Sequence, residues 1–479
     1  MVRVRFAPSP TGFLHIGGAR TYVFNWLFAR SEGGQVLLRV DDTDVGRNTE
    51  ASLRSIMDGL AWLDLPWDER HFQSERRPLH VQAAEALLAS GNAYRDFTKD
   101  VGPREEVGAG TPWLYNPGMR EITAEESARR ASAGEPFVVR FRVPRELPGG
   151  VAFRDLVLRK QFRRYADIED FALLRSNGQP TYHLASSVDD RDLRITHVIR
   201  GQDHLANTFK HILLLKGLGS AAPRFGHLPL LLGPDGSKLS KRRHGALVSV
   251  SNYREMGFLP VGFVNYLSLL GWSPKDNREV LAIDAMLAAF RIENVLRTNA
   301  TVRFGRGKQA SDVDPKAVWL NGQHLRKMPI EELVPHVEGA LRSAGLWTDD
   351  LGGSRKEWFH AALADLRSRM NLLSDFRTRC RAYFSDDFDV QGKARANLAK
   401  DGVRAMLRTL ADRLELVGTF DEATVEAEIR GLAAELGVKA GLLINGSRAA
   451  LTGQPVGPSA FRVFTILGRD RAVRRLRAA

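Results

Sequence analysis

Two short segments of this chain carry residue types suited to holding a triphosphate. The first is PSPTGFLHIGG at residues 8–18, which places His15 and two following glycines at a strand-to-helix turn. Free backbone N–H groups and the helix dipole make such a turn attractive to phosphate. The second is KLSKR at residues 238–242, which packs three cations into five residues after a glycine-bearing turn at 233–236. A reaction that expels pyrophosphate needs cationic charge of this kind in its transition state.

Signatures of several other catalytic classes are missing from the sequence. Residues 233–238 break the Gly-Lys-Ser/Thr order of a P-loop, and neither a His-Glu-x-x-His motif nor a Gly-x-Ser-x-Gly turn occurs. The one cysteine, Cys380, excludes an internal disulfide and a cysteine-rich zinc cluster. The sequence therefore favours chemistry by positioning and charge neutralisation.

The composition is that of a globular chain with a basic excess. A length of 479 residues predicts roughly three domains, and 43% hydrophobic with 26% charged residues is ordinary for a folded protein. The net charge of +13 fits a polyanionic partner such as nucleic acid, and it fits equally well a lineage rich in arginine. We find no signal-peptide pattern and no apolar run of membrane-spanning length, so we expect a cytoplasmic protein without membrane contact.

Strand and helix signals alternate at the start of the chain. Residues 2–6 and 35–40 have the pattern of strands, and helical spacing follows each of them, the second time from a cap at 48–49. Such alternation predicts a parallel sheet covered by helices, which binds ligands beyond the carboxyl ends of its strands. Residues 5–12 and 39–44 both lie at such ends.

The middle of the chain interrupts this pattern. Residues 137–143 and 151–158 alternate like antiparallel strands, and the parallel-sheet signal returns at 195–199 and 225–232. From about residue 252 onward we find only helical periodicity with short loops. The expected fold class is α/β, a Rossmann-like nucleotide-binding domain with an inserted α+β module, followed by an all-α C-terminal half.

Further motifs occur in the order of a known family along essentially the whole chain. They are R-x-APSPTG at 5–12, RVDDTD at 39–44, QSER at 73–76, PTYHLA at 180–185, DD at 189–190, HVIRG at 197–201 and RAALTG at 448–453. With the two segments above, they make the chain resemble the glutamyl-tRNA synthetases of the discriminating bacterial type, which are class I aminoacyl-tRNA synthetases. Either class I signature alone is weak, whereas their occurrence together with the internal motifs is specific.

The resemblance implies an activity and its partners. The expected reaction is ATP-dependent ligation of L-glutamate to tRNA(Glu) through a glutamyl-adenylate, with release of pyrophosphate and AMP. ATP and Mg²⁺ are the implied cofactors, and tRNA is expected to be needed for productive activation. Many relatives bind zinc through cysteines near residues 94–98, where this chain has none, so we expect no zinc. Most of the family looks monomeric, and we expect the same here.

The resemblance also assigns the residues of the catalytic site. His15, Lys238 and Lys241 are the implied catalytic residues. For ATP the implied contacts are Pro8, Thr11, His15, Gly17, Gly18, Lys238, Ser240, Lys241 and Arg242. For glutamate they are Arg5, Ala7, Ser9, Asp41, Tyr182 and Arg200. A guanidinium fork suits a carboxylate, and Asp41 stands beside the substrate ammonium where the family usually has glutamate.

The helical C-terminal half resembles the anticodon-binding region of the family. Arg369 matches a position that reads the last anticodon base and favours glutamate tRNA over glutamine tRNA, and Arg448 matches a second anticodon contact. The implied domains are a catalytic domain (1–78 and 191–245), an inserted tRNA acceptor-binding module (79–190), a stem-contact region (246–318) and two anticodon-binding helical domains (319–388 and 389–479).

Three alternatives stay open at this point. A glutaminyl-tRNA synthetase conflicts with Arg369 and with the all-helical C-terminal half, because glutamine enzymes of the usual kind carry β-barrels there. A non-discriminating glutamyl enzyme is a closer rival. A catalytically silent RNA-binding relative conflicts with the intact His15 and Lys241.

Overall fold

The computed structural model describes residues 1–43, 46, 48–98, 117–304 and 312–479. Asp44 lies outside the described residues, as do the side chains of Lys241 and Arg242. The chain divides into two compact units, the first made of Met1–Asn252 with Val264–Pro315 and the second of Tyr253–Phe263 with Lys316–Ala479. The finer division into five domains stays a prediction.

All strands of the described residues belong to the first unit. In chain order they are β1 (Arg3–Phe6), β2 (Gln35–Val40), β3 (Glu69–Phe72), β4 (Ala93–Asp96), β5 (Val138–Phe141), β6 (Gly150–Asp155), β7 (Arg159–Arg164), β8 (Ala172–Leu174), β9 (His197–Gly201), β10 (Arg224–Leu228), β11 (Leu231–Leu232) and β12 (Ala300–Thr301).

Helices occur in both units. Those that begin in the first unit are α1 (Ile16–Ser31), α2 (Glu50–Trp62), α3 (Arg77–Ala89), α4 (Pro117–Arg120), α5 (Ala124–Ser132), α6 (Tyr182–Asp192), α7 (Leu205–Gly217), α8 (Lys241–His244), α9 (Val250–Met256), α11 (Ile283–Ala289) and α12 (Pro315–Lys327). Those that begin in the second unit are α10 (Pro260–Leu269), α13 (Ile330–Arg342), α14 (Lys356–Leu366), α15 (Ser374–Thr378), α16 (Arg381–Phe384), α17 (Gly392–Leu398), α18 (Val403–Leu416), α19 (Glu422–Glu435), α20 (Ala440–Thr452), α21 (Ala460–Leu467) and α22 (Arg469–Ala478).

Parallel strands form the centre of the first unit, as the sequence predicts. Strand β2 pairs with β1 on one side and β3 on the other, and β9 pairs with β10, all in parallel. The backbone N–H of Thr196, just before β9, donates to the Arg3 carbonyl at 2.9 Å, so β9 continues the arrangement beside β1. Strand β2 reads as an apolar run because helices cover both faces of a parallel sheet, and five of its six residues are buried.

An antiparallel module interrupts the parallel strands. Strand β5 pairs antiparallel with β4 and β8, and β6 pairs antiparallel with β7 as a separate ribbon. The predicted strands at 137–143 and 151–158 are therefore confirmed, although each is two or three residues shorter. The inserted α+β module and the α/β fold class follow as the alternation pattern indicates.

Five strands are missed by the sequence analysis: β3, β4, β7, β8 and β12. The expectation of only helices beyond residue 252 is wrong at β12, which pairs in parallel with β11. Strand β12 has only two residues, which is too short to show an alternating pattern. Strand β3 has the sequence ERHF, and its three polar residues give no alternation of apolar and polar side chains.

The first two helices begin at side-chain caps. The Thr49 hydroxyl accepts the backbone N–H of Ser52 at 3.1 Å, which confirms the cap predicted at 48–49. The Nδ1 atom of His15 caps α1 in the same way. Caps of this type contribute about 1 kcal/mol and fix where the chain enters the helix.

In the described residues the second unit is entirely helical and has one apolar core. Gly446 lets α20 approach α18, since a Cβ at this position would lie only 2.8 Å from Cγ1 of Val403. Phe359, Phe376 and Phe464 are fully buried in this core. No helix of the described residues is long and apolar enough to cross a membrane.

Truncating the core of the second unit should destabilise it strongly. Phe464 is 0% exposed, so Phe464→Ala leaves a cavity, and we expect a loss of about 3–5 kcal/mol in the free energy of unfolding. Leu416, in the same unit, is 86% exposed, and Leu416→Ala should change the free energy of unfolding by about 0.5 kcal/mol or less. Urea unfolding followed by helical circular dichroism measures both. Equal midpoints for the two variants would contradict the described core.

Candidate active site

An open cleft of about 430 Å³ lies in the first unit. It is bounded by residues at the carboxyl ends of β1 and β2, by β9, by the start of α1 and by the 238–239 segment. Twelve of the residues assigned from the sequence line it: Arg5, Ala7, Pro8, Ser9, Thr11, His15, Gly17, Gly18, Asp41, Tyr182, Arg200 and Lys238. Ser240 is not among the lining residues, and the side chains of Lys241 and Arg242 are not described.

His15 uses one ring nitrogen to cap helix α1. Its Nδ1 atom accepts the backbone N–H groups of Gly17 at 3.1 Å and Gly18 at 3.2 Å. A Cβ on Gly17 would lie 3.0 Å from the imidazole, so glycine at this position makes room for the ring. The sequence predicts free N–H groups at this turn, and for these two residues that is wrong, because the neighbouring imidazole occupies them.

Lys238 reaches the cleft from the turn that follows β11. The N–H of Leu239 donates to the Leu231 carbonyl at 3.0 Å, which folds the 233–237 turn back on the strand. The Nζ of Lys238 pairs with Oδ2 of Asp203 at 2.8 Å. Desolvation and then the charge of Lys238 lower the pKa of His15, while Asp203 opposes them. The segments around His15 and Lys238, far apart in sequence, therefore meet in one cleft.

Asp41 lines the cleft and belongs to a buried network of charges. Its two carboxylate oxygens accept from Arg39 Nε at 2.7 Å and Nη2 at 3.3 Å. Arg39, fully buried, also donates to Oδ1 of Asp190 at 2.7 Å and to Oγ of Ser186 at 3.1 Å. Burial raises the pKa of Asp41, and Arg39 opposes that shift. The predicted contact of Asp41 with a substrate ammonium stays a prediction, and the sequence analysis missed its partner Arg39.

The same network explains the QSER motif at 73–76. Asp189, fully buried in α6, accepts from Gln73 Nε2 at 2.9 Å and from Arg76 Nε at 2.8 Å. The hydroxyl of Ser74 donates to Asp42 at 2.7 Å. This motif therefore joins α6 to the end of β2, and its residues do not line the cleft.

Arg5 and Arg200 differ in how their charges are neutralised. Arg5 donates from Nε to Oδ1 of Asp190 at 3.0 Å, a buried ion pair. Arg200 is 6% exposed, and no carboxylate among the described residues forms an ion pair with it. Its four described acceptors are neutral groups: the Tyr182 hydroxyl (2.9 Å), the Thr208 hydroxyl (2.7 Å), the His204 carbonyl (3.3 Å) and His227 Nε2 (3.4 Å). A buried guanidinium without a counter-ion is costly, so Arg200 is suited to an anionic ligand.

A chain of buried groups supports Arg200 from behind. His227 Nδ1 donates to Asp155 Oδ2 at 2.6 Å, so its Nε2 atom is the acceptor that faces Thr208 and Arg200. Asp155 also accepts the N–H groups of Val157 at 2.9 Å and Leu158 at 2.8 Å. The sequence analysis missed Asp155, Thr208 and His227. The available signal was a histidine in the otherwise apolar strand predicted at 225–232.

The two arginines assigned to anticodon reading lie in the second unit. Arg369 is exposed at the end of a short turn after α14, and Arg448 is half-buried in α20, where it donates to the Pro458 carbonyl at 2.6 Å. Desolvation lowers the pKa of Arg448, Tyr383 opposes this shift, and the charge of Arg369 lowers the pKa further. Neither forms an ion pair with any carboxylate of the described residues.

Nothing in the described residues resembles a protein metal site. No group of three or more histidine, cysteine, aspartate or glutamate side chains in this part of the chain could hold an ion. In the 94–98 stretch, Tyr94 donates to Asp170 at 3.1 Å and Asp96 accepts the N–H of Thr98 at 3.0 Å.

Family models match both halves of the chain. Residues 1–304 match the model described as the catalytic domain of class I tRNA synthetases (E and Q), and residues 330–479 match an anticodon binding domain.

Curated proteins and solved structures match over the whole length. The chain is 49% identical to a glutamate–tRNA ligase of Solibacter usitatus, and the match covers 99% of this chain and 98% of the relative. It is 42% identical to a glutamate–tRNA ligase of Desulfotalea psychrophila, and that match covers 100% of this chain and 98% of the relative. A crystal structure of a glutamate tRNA ligase from Elizabethkingia meningosepticum in complex with its amino acid matches with a TM-score of 0.83 at 29% identity, over 100% of this chain and 98% of that chain.

Removing Arg39 should unfold the first unit far more easily than removing a surface arginine. Arg39→Ala leaves Asp41 and Asp190 buried without this partner, and we expect a loss of about 3–5 kcal/mol in the free energy of unfolding. Arg54, in the exposed pair with Glu50 at 2.6 Å, is the matched control, and Arg54→Ala should cost about 0.5 kcal/mol at most. Chemical denaturation of the full chain compares them. Equal losses in the free energy of unfolding for the two variants would contradict a stabilising role of the buried network.

Proposed function

We propose that this chain, which belongs to the glutamate–tRNA ligase family of class I aminoacyl-tRNA synthetases, activates glutamate with ATP in the cleft described above. As a member of this family it charges tRNA with glutamate. The proposal concerns how it does so: which residues hold each substrate and which bring about the reaction. The observation that carries it is the buried guanidinium of Arg200, which has no carboxylate partner among the described residues and lines the same cleft as the histidine turn and Lys238.

Arg200, Arg5 and Tyr182 hold the glutamate, together with Ala7 and Ser9 at the end of β1. Glutamate carries two carboxylates and one ammonium, so its pocket needs an excess of cations. Asp190 pairs with Arg5, whereas Arg200 has no carboxylate partner among the described residues. The carboxylate of Asp41 lies at the cleft wall, where its remaining lone pairs can accept from the substrate ammonium.

The start of α1 and the lysine loop hold the nucleotide. Pro8, Thr11, His15, Gly17 and Gly18 line one side, and Lys238 lines the cleft from the loop that continues into Ser240, Lys241 and Arg242. Lys238 pairs with Asp203, and both groups are about half exposed. An ion pair at the surface is weak, so Lys238 can leave Asp203 and pair with the triphosphate at a small cost in free energy.

The reaction needs no nucleophile from the protein. An oxygen of the substrate α-carboxylate attacks the α-phosphorus of ATP, the bond to the bridging oxygen breaks, and pyrophosphate leaves with the electron pair. The terminal ribose hydroxyl of tRNA then attacks the carbonyl carbon of glutamyl-adenylate, loses its proton, and AMP leaves. His15, Lys238 and Lys241 stabilise the charge that builds on the transferred and leaving phosphates.

Magnesium enters the proposal as part of the substrate, since ATP carries it to the cleft. We propose that the protein binds no zinc, because the 94–98 stretch offers a tyrosine hydroxyl, an aspartate and a threonine in place of cysteines. We also propose a cytoplasmic monomer.

Arg369 and Arg448 contact the anticodon, and the chain discriminates tRNA(Glu) from tRNA(Gln). Their lack of carboxylate partners in the described residues supports this, since unstacked anticodon bases are read by hydrogen bonds and by stacking on guanidinium planes. The 79–190 module takes the acceptor end, 246–318 contacts the stem, and 319–388 and 389–479 form the anticodon-binding part.

ATP–pyrophosphate exchange tests the catalytic proposal. We expect exchange that depends on glutamate and on tRNA, and in Lys241→Ala a kcat reduced about 100-fold or more with little change in the KM for ATP, because the contact forms in the transition state. Lys216, exposed at the end of α7, supplies the control Lys216→Ala, which should leave both constants unchanged. An unaltered kcat in Lys241→Ala would refute the assigned role.

Charging assays with two tRNAs test discrimination. Arg369→Gln should raise the kcat/KM for tRNA(Gln) relative to tRNA(Glu) by about tenfold, the effect of one lost base contact. The exposed Arg404, also in the second unit, gives the control Arg404→Gln, for which we expect the wild-type ratio. Retained rejection of tRNA(Gln) by Arg369→Gln would count against this assignment.

A further inference from the structure

His204 lies at the entrance to α7 and lines the cleft next to Arg200. It ends a short turn, Gln202–His204, that follows β9 directly. Its ring packs against Tyr182 with centroids 5.6 Å apart, and its carbonyl accepts from Arg200 at 3.3 Å. Neither the sequence analysis nor the assignments above give His204 a role.

The hydrogen bonds around His204 determine which of its nitrogens carries the proton. The side-chain amide of Asn207 donates to Nδ1 at 3.3 Å, and an amide nitrogen can only donate. Arg200 Nη1 donates to the Tyr182 hydroxyl at 2.9 Å, which leaves the tyrosine proton free to donate to the same Nδ1 at 3.2 Å. Nδ1 is therefore an acceptor, and the ring proton sits on Nε2.

The ring is also held neutral. Desolvation, and after it the charge of Arg200, lower the pKa of His204 to about 4, while Asp203 opposes the shift. At neutral pH the side chain is thus an uncharged imidazole with an N–H on Nε2. No described residue forms a hydrogen bond with this nitrogen, so it is available to a ligand in the cleft.

Arg200 indicates which part of glutamate lies nearby. The α-carboxylate loses its charge when the adenylate forms, whereas the γ-carboxylate stays charged throughout the reaction. A buried guanidinium with no ion-pair partner among the described residues needs a counter-ion that persists. The γ-carboxylate is the substrate group that meets this requirement.

We propose that His204 is a specificity-determining residue, whose Nε2–H donates to the γ-carboxylate of glutamate and whose locked tautomer excludes glutamine. This inference rests on the proposed function. The γ-carboxylate only accepts hydrogen bonds, so it is satisfied between the guanidinium of Arg200 and the imidazole N–H. The carboxamide of glutamine would direct its own N–H groups at a donor and leave them unpaired.

The locked tautomer is the essential element of this arrangement. An imidazole free to carry its proton on Nδ1 would offer a lone pair at Nε2 and would accept the amide of glutamine. Tyr182 and Asn207 prevent that exchange by donating to Nδ1 from two sides. Sites that leave buried polar groups of the wrong substrate unpaired discriminate more strongly than sites that differ only in shape.

Amino-acid selectivity in ATP–pyrophosphate exchange with tRNA present tests the proposal. In His204→Gln the side-chain amide can donate or accept, so the glutamine-to-glutamate ratio of kcat/KM should rise about tenfold or more, with glutamate activity largely kept. In His204→Phe the donor is lost, so the KM for glutamate should rise about tenfold without a gain for glutamine. His71→Gln, in β3 and away from the cleft, should keep the wild-type ratio.

A second measurement does not depend on the folding of any one variant. In ¹⁵N-histidine spectra of the full chain, the His204 resonances, assigned by their loss in either variant, should show a neutral ring protonated on Nε2, and its N–H proton should shift when glutamate is added. An unchanged selectivity ratio in a folded His204→Gln, or a proton on Nδ1, would overturn the inference. If the wild type failed to activate glutamate at all, the proposed function would fail instead.

Discussion

A guanidinium that is buried without a carboxylate must find its negative charge in whatever fills the space beside it. Arg200 is in this position, because its hydrogen bonds in the described residues go to hydroxyls, a carbonyl and an imidazole. The nearest carboxylate along this chain of hydrogen bonds is Asp155, which reaches Arg200 only through His227. In the proposed function, the acidic amino acid supplies that negative charge.

The remaining charges of the cleft floor balance one another. Asp189 and Asp190, adjacent on α6, hold Arg39, Arg76 and Arg5, and so tie the helix to the strands whose ends form the cleft. A buried network of ion pairs adds less stability than a well-packed apolar core of the same volume. Removing one of its side chains, however, leaves another charge buried without a partner, which is costly. This internal neutralisation gives Arg5 and Arg39 carboxylate partners within the protein.

Much of the fold could be predicted from local patterns. Strands β1 and β2 and helix α2 with its Thr49 cap lie where alternation, apolar runs and capping residues place them. Two of the strands that the sequence analysis did not predict were missed for physical reasons. Strand β3 presents polar residues on a short segment, and β12 has two residues, so neither carries a periodic signal, and both exist because a neighbouring strand supplies their hydrogen bonds.

The sequence by itself determined which chemical groups are available: a histidine turn, a lysine-rich loop, arginines at strand ends, and their order along the chain. The tertiary structure decided what each group does. It turned the His15 nitrogen toward its own helix, paired Asp41 with Arg39, and placed the Tyr182 hydroxyl within hydrogen-bond distance of His204. The reason is that donor and acceptor roles depend on which partners the fold brings within reach. Some of these lie two residues away, as Asp41 does from Arg39, whereas Asp190 lies 151 residues from Arg39.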